Sequence, residues 1–383
     1  MEEFVPAVPL SFETGQCTGM RIEMITKKQS KMLQGIAILL MIYHHFFLDP
    51  DTQLYRFINV ELTRKADWFA KICVGLFSFI SGYGMCVALS KVRAGGQPVL
   101  CRQYQSVGRR LVRLFLKYWF IVALDVLLCV CLFQEPLTWK ECLENAFLIH
   151  LSLSGSWWFM REYLIFLLLA PILDMLLDGI WENHGKRRWV YSTVVLLCMG
   201  TLAVLKLFVP AMDSFFDLIQ PAFIAAFIVG FLLKKCGAYE FVERKLPENR
   251  MLQTALGIVL TVVVIALRVT LATDASWAKF DFILAPIFAL GTILMLRYTR
   301  GIAGLLETLG KHSVYMWLIH TMVYDRTGSL VRRLTRQSFC VYMIEVAVTF
   351  AVSWVLQAVV EKIGKRLLVD REKNGRLQKI LKK

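Results

Sequence analysis

Charge is scarce in this sequence. Only 19% of its 383 residues are Asp, Glu, Lys or Arg, while 57% are hydrophobic. A soluble chain of that length would hide one or two cores beneath a far more charged surface, so a water-soluble globule is excluded. Metal-ligand patterning is missing too. The ten cysteines are scattered, and no CxxC or Cys/His metal spacing occurs. Cys73, Cys86, Cys129, Cys131, Cys198 and Cys340 fall inside apolar stretches, where thiols act as small packing residues. The opening Met-Glu-Glu-Phe lacks the basic start of a cleaved signal peptide, so the first apolar helix is expected to act as an uncleaved insertion signal. No internal repeat is visible, and with it goes the duplicated-half signature of many transporters.

What the chain has in abundance is long apolar runs. Candidate spans are 32–48, 68–90, 111–133, 157–177, 188–208, 215–234, 251–272, 280–298, 311–332 and 339–360. Each approaches the length that crosses ~30 Å of hydrocarbon. The runs are apolar on nearly all sides rather than alternating, which selects helices over the strands of a membrane barrel. The expected fold is all-α: an integral membrane bundle of about ten transmembrane helices. A polar segment 1–31 precedes a membrane domain 32–360, and a basic tail 361–383 follows. The lipid bilayer is the first implied partner, and a multi-pass place in the plasma membrane is expected.

The net charge of +15 would suit nucleic acid, but its distribution argues against that partner. Lys91, Arg93, Arg102, Arg109 and Arg110 fill one loop, and Lys186, Arg187 and Arg188 end another. Lys234 and Lys235 open a third, and the tail from 361 carries nine Lys or Arg against three acids. An even number of spans puts all of these on one side with both termini, and that side is expected to be cytoplasmic. Loops 134–156 and 209–214 are richer in acids. One loop disagrees: 325–338 carries Arg326, Arg332, Arg333 and Arg336 on the expected outside. Either it folds back into the protein or the last two spans are misdrawn.

Ionisable groups within hydrocarbon cost several kcal/mol unless paired or hydrated, so they mark where function is sought. In the first span Gln34 and His45 are eleven residues apart, close to three turns, on one face and roughly 16 Å apart along the axis. His44 and His45 point about 100° apart and do not readily grip one metal ion. From the residues alone, the pair is either hydrated at the interface or functional. The second span carries Ser81, Gly82 and Tyr83, which suit close helix packing. Arg110 and Arg113 share a face, and with Lys117 they form a cationic stripe. Such a stripe serves either ordinary membrane anchoring or phosphate binding. Arg161 and Glu162 sit among aromatics at the start of the fourth span, where they could line a polar cavity. His320 lies deep in the ninth span, where a histidine usually has a partner. Asp125 and Arg268 are further buried candidates, with structural pairing the natural explanation.

Four segments together resemble the acyltransferase-3 family of polytopic membrane acyltransferases. They are Leu33-Gln-Gly-Ile-Ala-Ile-Leu-Leu with His45, Phe77-Ser-Phe-Ile-Ser-Gly-Tyr, Arg109-Arg110-Leu-Val-Arg113, and His312-Ser-Val-Tyr-Met-Trp-Leu-Ile-His320. The resemblance implies transfer of an acyl group, often acetyl, from acetyl-CoA or another acyl-CoA that binds as substrate rather than as a permanent cofactor. It implies hydroxyl acceptors such as envelope glycans. It maps the essential histidine onto His45 and the donor-phosphate arginines onto Arg110 and Arg113, with Lys117 beside them. Gln34, His44, Ser81, Tyr83, Arg161, Glu162 and His320 are then the supporting or acceptor-side candidates. The family often has Arg where this chain has Gln34, and the nearest cation is Lys31. A transporter or flippase of a glycan or lipid-linked intermediate explains the spans and buried charges equally well. It does not explain a cationic pair at one face combined with a histidine near the other.

Overall fold

The computed structural model describes residues 24–47, 60–93, 99–184, 220–271, 280–335 and 337–381. They fold almost entirely into helices: α1 Lys27–Phe47, α2 Val60–Ala70, α3 Ile72–Arg93, α4 Val99–Leu127, α5 Trp139–Ala146, α6 Trp158–His184, α7 Pro221–Lys235, α8 Ala238–Lys245, α9 Arg250–Leu271, α10 Asp281–Leu296, α11 Arg300–Leu334 and α12 Ser338–Leu381. The expected all-α architecture is present. By length and apolar composition, four described helical stretches can cross a membrane: Glu61–Arg93, Val99–Leu132, Arg250–Thr270 and Ser338–Lys362. The pair α7 and α8, bent by 59°, makes a fifth if it counts as one span. The expected count of ten is therefore not reached among the described residues. The span at 188–208, the start of the span at 215–234 and the loop at 209–214 lie outside them, as do Lys186, Arg187, Arg188 and most of segment 1–31.

Local chemistry sets several helix ends. Thr138 caps α5 by accepting from the Glu141 amide at 3.2 Å, while the Glu141 side chain accepts from the Thr138 amide at 2.8 Å. This reciprocal box satisfies two amides that the helix would otherwise leave open. Pro221 opens α7, where its missing N–H is no loss. Gly237, at φ +66°, turns the chain between α7 and α8 in a conformation that side-chain-bearing residues avoid.

Two expectations about boundaries change. The segment 91–110 is not simply a loop, because α4 begins at Val99 and carries Arg102, Arg109 and Arg110 on its first turns. The anomalous basic loop 325–338 is mostly helix, because α11 runs without a break to Leu334. Two of its four arginines are engaged within the protein, and Arg336 lies outside the described residues. Arg326 grips both carboxylate oxygens of Glu135 at 2.7 Å, and Arg332 donates to the Tyr324 hydroxyl at 3.2 Å. The Arg326 bond holds the Glu135 carboxyl down at about 2, well below its ordinary value. The clamp is therefore intact through mild acid and opens only as pH falls toward that value. The basic tail from 361 continues as helix to Leu381.

Glycine places the helices. At Gly310 an added Cβ would lie 1.7 Å from the Lys31 carbonyl oxygen, and at Gly35 it would lie 2.0 Å from that of Leu306. α1 and α11 thus cross backbone against backbone. Gly82 and Gly230 do the same for α3 and α7. Such approach maximises dispersion contact where no hydrophobic force distinguishes helix from lipid. α9 and α10 pair antiparallel and bury an ion pair: Arg268 Nη1 donates to Asp281 Oδ1 at 2.5 Å, with both side chains at most 1% exposed.

Gly310→Val should strike the α1–α11 crossing directly. Recovery of monodisperse protein by gel filtration in detergent is expected to fall several-fold, since overpacking costs about 1–3 kcal/mol or more. Gly84→Val, with nothing within 4 Å of its Cβ, should leave recovery unchanged. Arg268→Met is expected to remove about 3–5 kcal/mol by stranding Asp281. The double variant Arg268→Met with Asp281→Leu should recover much of that loss in a thermal melt.

Candidate active site

The α1–α11 crossing sets the centre of the site. His45 lies ten residues beyond Gly35, and His320 lies ten beyond Gly310. The two helices leave the crossing in the same direction, so equal offsets bring the two rings to the same height. Their centroids are 4.9 Å apart. His44 stands on the other side of His45, with ring centroids 5.2 Å apart.

Each flanking histidine is tied down. His44 donates through Nδ1 to Asp67 Oδ1 at 2.6 Å, across from α2. His320 donates through Nδ1 to the Trp317 carbonyl at 2.6 Å. That bond fixes the tautomer of a neutral His320 ring and leaves Nε2 as an acceptor. Among the described residues Nε2 is buried without a hydrogen-bond partner.

Three cavities line up along α1. The first, about 230 Å³, is bordered by Lys31, Gln34, Ser81, Leu114, Tyr163 and Ser313. The second, about 320 Å³, meets His44, His45, Lys71 and Gln220. It shares Met41, Phe159 and Trp317 with the first. The third, about 450 Å³, lies beyond His45 among Ser152, Ser154, Thr321, Asp325 and Glu345. His45 and Ser156 belong to both the second and the third. His45 thus forms part of the partition between two cavities, and the first cavity leads back along its own helix.

Packing holds that partition still. Trp157 donates from Nε1 to the Leu318 carbonyl at 2.9 Å, and Trp317 returns a bond to the Ser156 carbonyl at 3.3 Å. Ser154 shares hydrogen bonds with Ser156 at 2.7 Å and Thr321 at 2.8 Å. The short turn Gly155–Trp157 is therefore stitched to α11. Tyr342 donates to the Leu39 carbonyl at 3.1 Å and fastens α12 to α1.

The residues singled out in the sequence separate into those the cavities gather and those they do not. Gln34, Ser81, His44, His45 and His320 all border the cavity series. Lys31 reaches Gln34, donating from Nζ to its Oε1 at 2.8 Å and to the Gly310 carbonyl at 3.3 Å. A cation therefore stands at Gln34 although that residue is neutral. Lys117 is half-buried, its ammonium 5.2 Å from the centre of the Tyr315 ring. Arg110 and Arg113 are exposed on α4 and border none of the three cavities, although Leu114, the next residue, does.

Tyr83 borders none of these cavities. Its hydroxyl donates toward Glu240 Oε1 at 3.4 Å, and Lys234 lies over its ring. The cause is helical phase: Tyr83 is two residues from Ser81, about 200° around the helix, and faces α8. Arg161 and Glu162 do not border the cavities either. Glu162 is buried and accepts the Gln220 amide at 2.5 Å, so it anchors the start of α7 and places Gln220 on the second cavity. Asp125 is buried beside Cys129, away from the cavities.

Sequence reasoning missed Asp67, Asp325 and Glu345. Glu345 carried a usable signal, an acid in the middle of an apolar span. Asp67 sits just before a span, and only the fold brings it to His44.

A family model described as an acyltransferase domain matches residues 29–358, nearly the whole chain. No curated protein and no solved structure matches it. The matched stretch runs from the first turn of α1 into the first half of α12, and with it come His45, His320 and all three cavities. This chain belongs to the acyltransferase-3 family, and it is a membrane acyltransferase by that membership.

Proposed function

We propose that the protein moves an acyl group, acetyl in the simplest case, from acyl-CoA to a hydroxyl of a cell-envelope glycan, in the plasma membrane and with both termini cytoplasmic. The observation that carries this reading is the place of His45, on the partition between a cavity series running back to Lys31 and a polar cavity beyond. A donor and an acceptor approaching from opposite ends would meet at its ring.

The end with Lys31, Arg110, Arg113 and Lys117 suits the donor. Arginine forks match phosphate oxygens through paired hydrogen bonds. Arg110 and Arg113, exposed at the rim, would hold the nucleotide phosphates outside while the thin pantetheine arm enters beside Leu114. Lys31 and Gln34 would line its path. The thioester would then lie near Ser81, Phe159 and Trp317, in the narrowing toward His45.

At the partition, His45 takes the proton of the acceptor hydroxyl as its oxygen attacks the thioester carbonyl. The tetrahedral intermediate collapses with loss of the C–S bond. The leaving thiolate of CoA recovers the proton from the imidazolium, so the ester forms and the histidine returns to its starting state. An imidazole of ordinary basicity is largely neutral at pH 7, and such proton transfer is worth about 10²–10⁴-fold. Asp67 fixes His44, and His320 is fixed by Trp317, so His45 is held between two rings that cannot swing away. A covalent acyl-histidine relay would use the same position.

His45→Ala should therefore lower transfer of labelled acetate to envelope glycans by about 10²–10⁴-fold, with the acetyl-CoA KM little changed. Full transfer by a folded, abundant variant would end the assignment. Arg110→Ala with Arg113→Ala should raise the acetyl-CoA KM about tenfold or more and leave kcat nearly intact. The same pair should erase discrimination against 3′-dephospho-acetyl-CoA. Retained discrimination would mean that phosphates are held elsewhere. Lys31→Met should raise the donor KM, and Lys31→Arg should largely restore it.

A further inference from the structure

The cavity beyond His45 differs in chemistry from the other two. Its wall carries the hydroxyls of Ser152, Ser154, Ser156 and Thr321 and the carboxyl groups of Asp325 and Glu345. No lysine or arginine borders it among the described residues. Two arginines of α11 are committed elsewhere: Arg326 is clamped by Glu135, and Arg332 is bonded to the Tyr324 hydroxyl. Glu345 accepts only long bonds from Thr327 Oγ1, at 3.3 and 3.2 Å.

A second observation points to a ligand. His320 is 3% exposed, stands on the wall of this cavity, and has Nε2 without a hydrogen-bond partner among the described residues. A buried acceptor without a partner is costly, and it leaves on this wall an imidazole whose hydrogen-bonding capacity the described residues do not use. At about 450 Å³ the space falls within the range of small-molecule sites. Hydroxyl donors and acceptors around an open imidazole acceptor fit a polyol.

We infer that this cavity is the acceptor subsite and that its carboxylates confine it to uncharged or amino-bearing sugars, turning away anionic ones. The inference rests on the acyltransferase reading for the word acceptor, but its physical content is sugar binding with charge selection. An anionic sugar here would meet Asp325 and Glu345, with no lysine or arginine on the cavity wall among the described residues to offset its charge. A neutral sugar would exchange hydrogen bonds with Ser154, Thr321 and His320. An amino sugar would pair with Asp325 or Glu345.

The test uses the full chain in nanodiscs and follows its thermal stabilisation by methyl α-glucoside, methyl α-glucosaminide and methyl α-glucuronide, with acetyl-CoA as a separate titrant. The first two sugars should raise the melting temperature, and the glucuronide should not at equal concentration. Ser154→Ala with Thr321→Val should raise the half-saturating glucoside concentration about tenfold while acetyl-CoA still stabilises. Asp325→Asn with Glu345→Gln should admit the glucuronide, a gain that a damaged fold cannot mimic. Equal stabilisation of the wild type by glucuronide and glucoside overturns the inference. So does stabilisation by no sugar at all, whether or not acetyl-CoA acts. Normal sugar selectivity without any acetyl-CoA response would count against the donor half of the earlier reading and support this one.

Discussion

The site depends on how closely α1 and α11 can approach. At Gly35 and Gly310 each helix lays its backbone against the other, and any side chain there would overlap a carbonyl. In lipid this contact cannot be driven by expelling water, so shape has to supply it. The consequence reaches about 15 Å along the helices, ten residues at the standard rise. There, on the same two helices, His45 meets His320. A small rotation at the crossing would separate the rings, so packing at one end sets the chemistry at the other.

A second constraint is the treatment of charge inside the bundle. Several buried ionisable groups are paired on the spot. Arg268 has Asp281, and His44 has Asp67. Asp174, fully buried, gathers Arg93, Lys235 and Gln103. These groups hold helices together and need no further explanation. Glu345 is different: it is buried, it forms no ion pair among the described residues, and it borders a cavity. A buried acid that borders open space rather than a cation is a candidate for function rather than for packing.

The sequence revealed the class, the helices and the central histidine, and each for a definable reason. Apolar length announces a membrane helix without help from tertiary structure, and the eleven-residue phase between Gln34 and His45 survives because α1 is regular. Tyr83, Arg161 and Glu162 were placed by neighbourhood along the chain, which does not say which face a helix presents. Two residues were enough to turn Tyr83 away from Ser81. Asp67 was beyond reach, since its partner is 23 residues away on another helix. The 325–338 segment misled for an electrostatic reason: counting arginines assumes they are free to interact with the membrane, and Arg326 and Arg332 are already engaged.

The two ends of the cavity series carry opposite charge, and this gives the arrangement a direction. Lys31 borders one end, with Arg110, Arg113 and Lys117 on the neighbouring helix α4, while Asp325 and Glu345 border the other. On the proposed reading, a polyanionic nucleotide would be drawn to the first end and disfavoured at the second, which sets the direction of its seating. A neutral polyol feels little of either field and is retained where hydroxyls and an open imidazole acceptor are concentrated. Sorting by charge needs no moving gate. It requires only that the two substrates differ in charge and that the reacting group stand where the fields change over. His45 stands on the wall between the two regions, which is the position the proposed role requires.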